Sequence, residues 1–296
     1  MDENAWLADR FEEHRSHLRA VAYRMLGSLA EADDAVQDTW LRLSRAGAGD
    51  VENLGGWLTT IVARVSLNML RSRNTRREQS LGVHFPDPVV SPEGAAQPDE
   101  EALLADSVGL ALLVVLDTLS PAERLAFVLH DMFKLPFEEI APMVGRSPAA
   151  ARQLASRARR RVKGAEIPAP DPDLARQRAV VDAFFLAARG GDLDALVGLL
   201  DPDVVLRADA GPRRAAASGV FRGPAAVAGQ ALRGAIPGAL VRPALVNGAA
   251  GAVITLGGRP IAVMGFTVTD GRIVEIDALA DPARVPGIAA AVLRDE

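Results

Sequence analysis

The sequence predicts a multidomain protein: two all-α segments followed by an α+β cone. Three observations carry this expectation. Residues 136–163 read as two helices joined by a sharp turn, the second one strongly basic. Two proline-rich stretches, 79–106 and 165–173, interrupt the helical pattern and read as linkers. Past residue 200 the apolar residues recur at the strand period of two. At 296 residues the chain exceeds one ordinary domain. The expected domains are 1–78, 107–164 and 174–296.

The first segment is read as helical over 5–45. Phe11, Leu18, Val21, Ala22 and Met25 form one inward stripe, and Gly27–Ser28 is a break. A second helix follows, with Ala32, Val36, Thr39, Trp40 and Leu43 facing inward. Asp34, Gln37, Asp38, Leu41 and Arg45 share its other face. An acidic face with an exposed leucine suits a basic partner helix; a merely solvated face is the competing reading. Residues 46–56 are a glycine-rich loop. A long helix starts at Trp57, with Leu58, Ile61, Val62, Val65 and Met69 inward. Residues 64–77 carry five arginines and no acid. Basic residues suit a helix C-terminus for dipole reasons alone, so capping and nucleic-acid contact both remain open for them.

The second segment opens with an apolar run and a helix start at Ser120, Pro121 and Glu123. Then comes a helix from Pro136 to Val144 with Phe137, Ile140, Ala141 and Val144 on one face. Gly145 stops it. Ser147 and Pro148 restart the chain as N-cap and first helical residue. In the next helix Ala151, Leu154, Ala155, Ala158 and Val162 face inward. Ala149, Arg152, Gln153, Ser156, Arg160 and Lys163 project from the other side. Residues 146–163 hold seven basic side chains and no acid. Such a helix can enter a major groove, where Arg and Gln read base edges and Lys and Arg neutralise phosphate. This is the pattern of a helix-turn-helix with its recognition helix second.

Composition narrows the class. No cysteine is present, which excludes disulfides, thiolate metal sites and a cysteine nucleophile. No cofactor and no metal site is expected. The longest apolar run, Val108 to Leu116, is too short to span a bilayer. The N-terminus has acids where a signal peptide needs bases, so a cytoplasmic location is expected. The formal net charge is −5, but it is segregated. Six acids and no Lys or Arg lie in 79–106, and local patches set the electrostatic footprint.

Three stretches together resemble a known family. They are RMLGSLAEADDAVQDTWLRL, GGWLTTIVARVSLNMLRSR and LSPAERLAFVLHDMFKLPFEEIAPMVGRSPAAARQLASRARRRV. In this order and spacing they resemble a bacterial RNA polymerase sigma factor of the extracytoplasmic-function (ECF) class. The first two stretches correspond to the family's sigma-2 domain and the third to sigma-4. The resemblance implies that Asp33, Asp34, Gln37, Asp38 and Leu41 dock on core RNA polymerase. It implies that Asn68, Arg71, Ser72, Arg73 and Arg76, with the loop around 51–56, meet the promoter −10 element. That element is melted, and a flipped base needs a pocket in positive surroundings. It implies that Ser147, Ala149, Arg152, Gln153, Ser156, Arg157 and Arg160 contact the −35 element. Promoter DNA and core polymerase are the implied partners, and no membrane is.

The last third reads as helices over 174–190 and 193–200, then strands VVLRAD, ALVNG, AVITLG, PIAVMGFTVTD and RIVEIDALA in a curved antiparallel sheet. Asp270–Gly271 is a hairpin turn. This part is similar to the SnoaL-like members of the NTF2-like superfamily. HFPDPVV in the linker, DAGPR at 209–213 and DPARV at 281–285 resemble motifs of the sigma-factor subgroup with that extension. All four histidines precede residue 164. An acid–base role in the cone would therefore fall to Asp209, Glu275 or Asp277 with a raised pKa. Asp277 is expected at the rim or surface. The cone is read as a regulatory module acting in cis, with a small-molecule ligand as a further partner. The alternatives are a ligand-sensing DNA-binding regulator that never engages polymerase and a SnoaL-like enzyme tethered to DNA.

Overall fold

The computed structural model describes residues 3–46, 53–77, 85–94, 110–165 and 168–293. They divide into two compact units. The first holds the described residues up to 77 and those from 112 to 165. The second holds 85–94, 110–111 and 168–293.

In the helical unit, α1 (Glu3–Leu26), α2 (Leu29–Ala46) and α3 (Leu54–Arg77) pack on one another. Gly27 makes the turn between the first two at φ +69°, which glycine adopts without a Cβ clash. The expected stripe of Phe11, Leu18, Val21, Ala22 and Met25 is buried throughout. Helix α3 starts at Leu54, three residues before the expected Trp57. The cause is Asn53, whose Oδ1 accepts the amide of Gly56 at 2.9 Å and caps the first turn.

The helices α4 (Leu110–Asp117), α5 (Pro121–Phe127), α6 (Phe137–Val144) and α7 (Pro148–Gly164) follow. Ser120 and Glu123 cap α5 reciprocally, as their spacing predicts. One π turn, Val128–Met132, continues α5. The two groups of helices in this unit meet through Arg124, which is 2% exposed. Its Nε donates to the carbonyl of Arg24 at 3.1 Å and its Nη1 pairs with Asp117 at 2.5 Å. The Phe133 ring lies edge-on to His17 and under the guanidinium of Arg24.

The second unit is the cone. Helices α8 (Leu174–Gly190) and α9 (Leu193–Leu199) are N-capped by Asp173 and Asp192. Strands β2 (Leu200–Asp209), β4 (Leu240–Val246), β5 (Ala249–Leu256), β6 (Arg259–Thr269) and β7 (Arg272–Leu279) were all anticipated, but β2, β4 and β5 start ahead of the expected Val204, Ala244 and Ala252. Strand β3 (Gly219–Arg222) and helix α10 (Pro224–Gly234) were not. Asp270 and Gly271 both take positive φ, as a tight hairpin of right-handed twist requires. The sheet departs from the antiparallel expectation at one pair: β2 runs parallel to β7. Their connection passes through all the intervening strands, so no hairpin dictates the direction.

With Val90–Pro92 as β1, the described strands order as β1-β4-β5-β6-β7-β2-β3. The core between helices and sheet is apolar. Phe184, Phe185 and Phe266 meet edge to face with centroids 5.3–5.6 Å apart, surrounded by Val181, Leu206, Ile276 and others.

The edge strand β1 is Val90–Pro92, from inside the stretch read as a linker. It pairs antiparallel with β4, Val90 opposite Val246 and Pro92 opposite Ala244. Pro92 tolerates the position because an edge strand can spare its N–H.

Candidate polymerase and promoter interfaces and the anchored connecting segment

Helix α2 presents the acidic face that its spacing predicts. Asp33, Asp34, Gln37 and Leu41 are exposed and Asp38 is half-buried; Leu41 is 42% exposed. Asp33 is held by a fork from Arg19 at 2.6 and 3.2 Å, and Asp38 by Arg42 at 3.0 Å. Such solvated pairs contribute about 0–1 kcal/mol each. An incoming cationic partner can therefore replace the intramolecular arginine at little cost.

On α3, Asn68, Arg71 and Ser72 are exposed on one side. Arg73 differs. Its Nη1 donates to the carbonyl of Leu26 at 3.0 Å and its guanidinium pairs with Glu31. It ties α3 to the turn between α1 and α2, a role the count of arginines did not reveal. The side chain of Arg76 and residues 51–52 of the loop lie outside the described residues.

The helix-turn-helix is formed as expected. Gly145 sits at φ +65°, and Ser147 Oγ accepts the amide of Ala150. Ala149, Arg152, Gln153, Ser156 and Arg160 face outward, while Ala151, Ala155 and Ala158 are buried. Arg157 is exposed but not idle: its Nε meets Glu123 at 2.9 Å, and Arg161 meets the same carboxylate at 3.2 Å. Burial opposes ionisation of Glu123. The hydrogen bonds from Arg157 and Ser120 outweigh it and hold the carboxyl below its usual range. Arg159 pairs with Asp131 at 2.6 Å. These contacts fix α7 on α5 and the π turn.

In the cone, the three motif stretches come together around Arg284. Its Nε donates to Asp87 at 2.7 Å, its Nη1 to Asp209 at 2.7 Å and its Nη2 to the carbonyl of Phe85 at 2.7 Å. Asp209, 1% exposed, also accepts the amides of Gly211 and Phe85. Asp281 accepts the amide of Ala283 and shapes the turn that carries Arg284. Gly211, at φ +76°, leaves the space that the Asp281 carboxylate occupies. Further along the connecting segment, Asn247 takes the amide of Val89 on its side chain at 3.1 Å and donates its own amide to the Val89 carbonyl at 2.8 Å. Arg178 of α8 pairs with Glu93 and donates to the carbonyl of Ala244. Every residue from Phe85 to Ser91 is buried.

The titratable groups of the cone do not line its interior. Arg207, Glu275 and Asp277 alternate with Leu206 and Ile276, so they lie on the sheet face away from the phenylalanines. Asp277 is 5% exposed, contrary to the expectation of a surface carboxylate. The guanidinium of Arg207 lies against it, reaching Asp277 at 3.2 Å and Glu275 at 2.8 Å. Burial pushes the Asp277 carboxyl up to about 6, against the pull of Arg207 and with help from Glu275. A raised carboxyl exists here, as an acid–base role would need, but it faces away from the enclosed core.

Among the described residues no helix is long and apolar enough to cross a membrane, and no cluster suits a metal ion.

Comparison with known proteins agrees with the motifs. The family model described as Sigma-70 region 2 matches residues 10–76, and that for Sigma-70, region 4 matches 109–162. The ECF RNA polymerase sigma factor SigJ of Mycobacterium tuberculosis is 39% identical over 290 residues, 94% of this chain and 92% of the relative. The probable ECF RNA polymerase sigma factor SigI of the same species is 41% identical over 209 residues, 70% of this chain and 69% of the relative. The crystal structure of SigJ superposes with a TM-score of 0.71 at 36% identity, covering 94% of this chain and 97% of that one. With its motifs, its helix-turn-helix and its cone all matched along one relative, the chain belongs to the ECF RNA polymerase sigma factors.

Proposed function

We propose that the chain is an alternative sigma factor: it binds core RNA polymerase, directs it to particular promoters and performs no bond chemistry itself. It acts where the polymerase is, in the cytoplasm. Asp33, Asp34, Gln37, Asp38 and Leu41 meet the polymerase. Asn68, Arg71, Ser72 and Arg76 meet the −10 element, and Arg73 supports them from the Leu26–Glu31 turn. Ser147, Ala149, Arg152, Gln153, Ser156, Arg157 and Arg160 meet the −35 element. Sigma-2 spans 1–78, sigma-4 spans 107–164 and the cone spans 174–296. The observation that carries this reading is that most of these side chains are presented on preformed helices rather than buried.

The cone regulates the sigma domains in cis. The segment between the two sigma domains contributes β1 to the cone's sheet and is bound by Arg284, Asn247 and Arg178. Two modules that must reach two promoter elements are restrained when the chain joining them is anchored.

Run-off transcription with purified core polymerase on a promoter library tests the proposal. Discrete promoters are expected, with the complex lost in a variant carrying Asp34→Arg and Asp38→Arg. Deleting 174–296 is expected to change the output, and unchanged output removes the regulatory role. Failure of the intact chain to bind core polymerase removes the sigma function.

A further inference from the structure

The stack beneath the recognition helix assigns a role to two residues outside the reading face. Phe137, at the first turn of α6, is buried. The His130 imidazole stacks on its ring, with centroids 3.9 Å apart and planes 27° from parallel. The guanidinium carbon of Arg152, in the second turn of α7, lies over the Phe137 ring at 5.3 Å from its centre. His130 is itself fixed. Its Nδ1 is 2.9 Å from the Leu135 carbonyl, and a carbonyl only accepts, so Nδ1 carries a proton. The turn that brings Leu135 back is closed at Lys134, which takes φ +61°.

We propose that Phe137, backed by His130, is a positioning residue that aims Arg152 at a guanine in the −35 element. The inference rests on the reading of α7 as the −35 reader. A guanidinium resting on an aromatic face keeps its N–H donors at the edge, available for a bidentate contact with guanine O6 and N7. It also samples fewer rotamers while free, so less entropy is lost on docking. Three arginines toward the end of α7 are held differently: Arg157 and Arg161 by Glu123 and Arg159 by Asp131, both carboxylates that compete directly with DNA. An aromatic ring orients Arg152 without occupying its donors.

The test is run-off transcription by the full chain with core polymerase on promoters randomised through the −35 element. Arg152→Ala is expected to flatten the preference at one guanine. Phe137→Leu keeps the apolar packing and is expected to weaken the preference at that same guanine about two- to fivefold, leaving other positions unchanged. It should add nothing on top of Arg152→Ala. Phe137→Tyr restores the face and should restore the preference. His130→Gln keeps a donor for Leu135 while removing the ring, and is expected to give a smaller loss at the same base. A Phe137→Leu variant that retains full preference there, or loses preference evenly across the element, overturns the inference. Should Phe137→Leu fail to fold, a His130→Gln variant with unaltered preference overturns it instead. A wild-type chain with no −35 preference at all overturns the −35 reading itself, and this inference with it.

Discussion

Two half-buried arginines of the cone invite comparison. Arg207 and Arg284 each face two carboxylates, and each is mostly sequestered from water. They differ in what they join. Arg207 sits on β2 and its partners Glu275 and Asp277 lie on the adjacent β7, in register. That cluster holds one strand pair together. Arg284 joins residues 85–87 to 209 and 284; the β2–β7 register already sets Asp209 opposite Leu279, but no strand register brings in 85–87. The same chemistry is structural in one place and a coupling element in the other. The difference lies in whether the joined segments have an independent task, and the segment at 85–92 does: it links the two sigma domains.

The largest expected effect comes from removing either arginine. Leaving two carboxylates buried without a cation costs about 3–5 kcal/mol, so Arg284→Ala and Arg207→Ala should lower the denaturant midpoint of the cone similarly. Only Arg284→Ala should also speed amide exchange at Val89, Val90 and Ser91 while the rest of the sheet stays protected. Equal exchange at β1 in both variants would show that Arg284 anchors the segment no more than Arg207 does.

The next effect is one of pH. Burial pushes the Asp277 carboxyl up to about 6 in the fold, against an ordinary value of 3.8. The folded chain therefore holds this proton more tightly than the unfolded chain does. The contribution of Asp277 is greatest below pH 3.8 and declines as pH rises through about 6, by up to about 3 kcal/mol. Denaturation midpoints of wild type and Asp277→Asn measured at pH 4.5 and 7 check this: the wild type should lose more stability over that rise.

Gly211→Ala would push a methyl group into the Asp281 carboxylate at a left-handed backbone position. A loss of about 1–3 kcal/mol is expected, together with looser holding of Arg284, read as faster exchange at β1. Smallest is Ser147→Ala, which removes an N-cap and should cost about 1 kcal/mol in the helical unit while leaving the cone's unfolding unchanged.

Much of this was legible in the sequence because the deciding signals are local. Capping at Ser120 and Ser147, the stop at Gly145, the turn at Asp270–Gly271 and the helical stripes are all set by neighbours a few residues apart. Asn247–Gly248, with both φ values positive, was an equally readable hairpin signal between β4 and β5. What was not legible depends on partners far away in the chain. Proline-rich 85–92 looks like a linker until β4 offers it a ladder. Arg73 looks like a DNA contact until the Leu26–Glu31 turn arrives beside it. The burial of Asp277 depends on β2 lying parallel beside β7, which alternation alone does not reveal. The motif stretches HFPDPVV, DAGPR and DPARV name the residues that meet around Arg284 without showing how they meet.

The central claim is that the cone governs promoter use by anchoring the chain between the sigma domains. Run-off transcription with core polymerase, comparing wild type with Arg284→Ala on the same promoter at a temperature where both are folded, tests it most directly. Output about fivefold or more above wild type, in the range of a typical coupling between sites, is the predicted result. Equal output from a variant whose β1 amides exchange freely would contradict it.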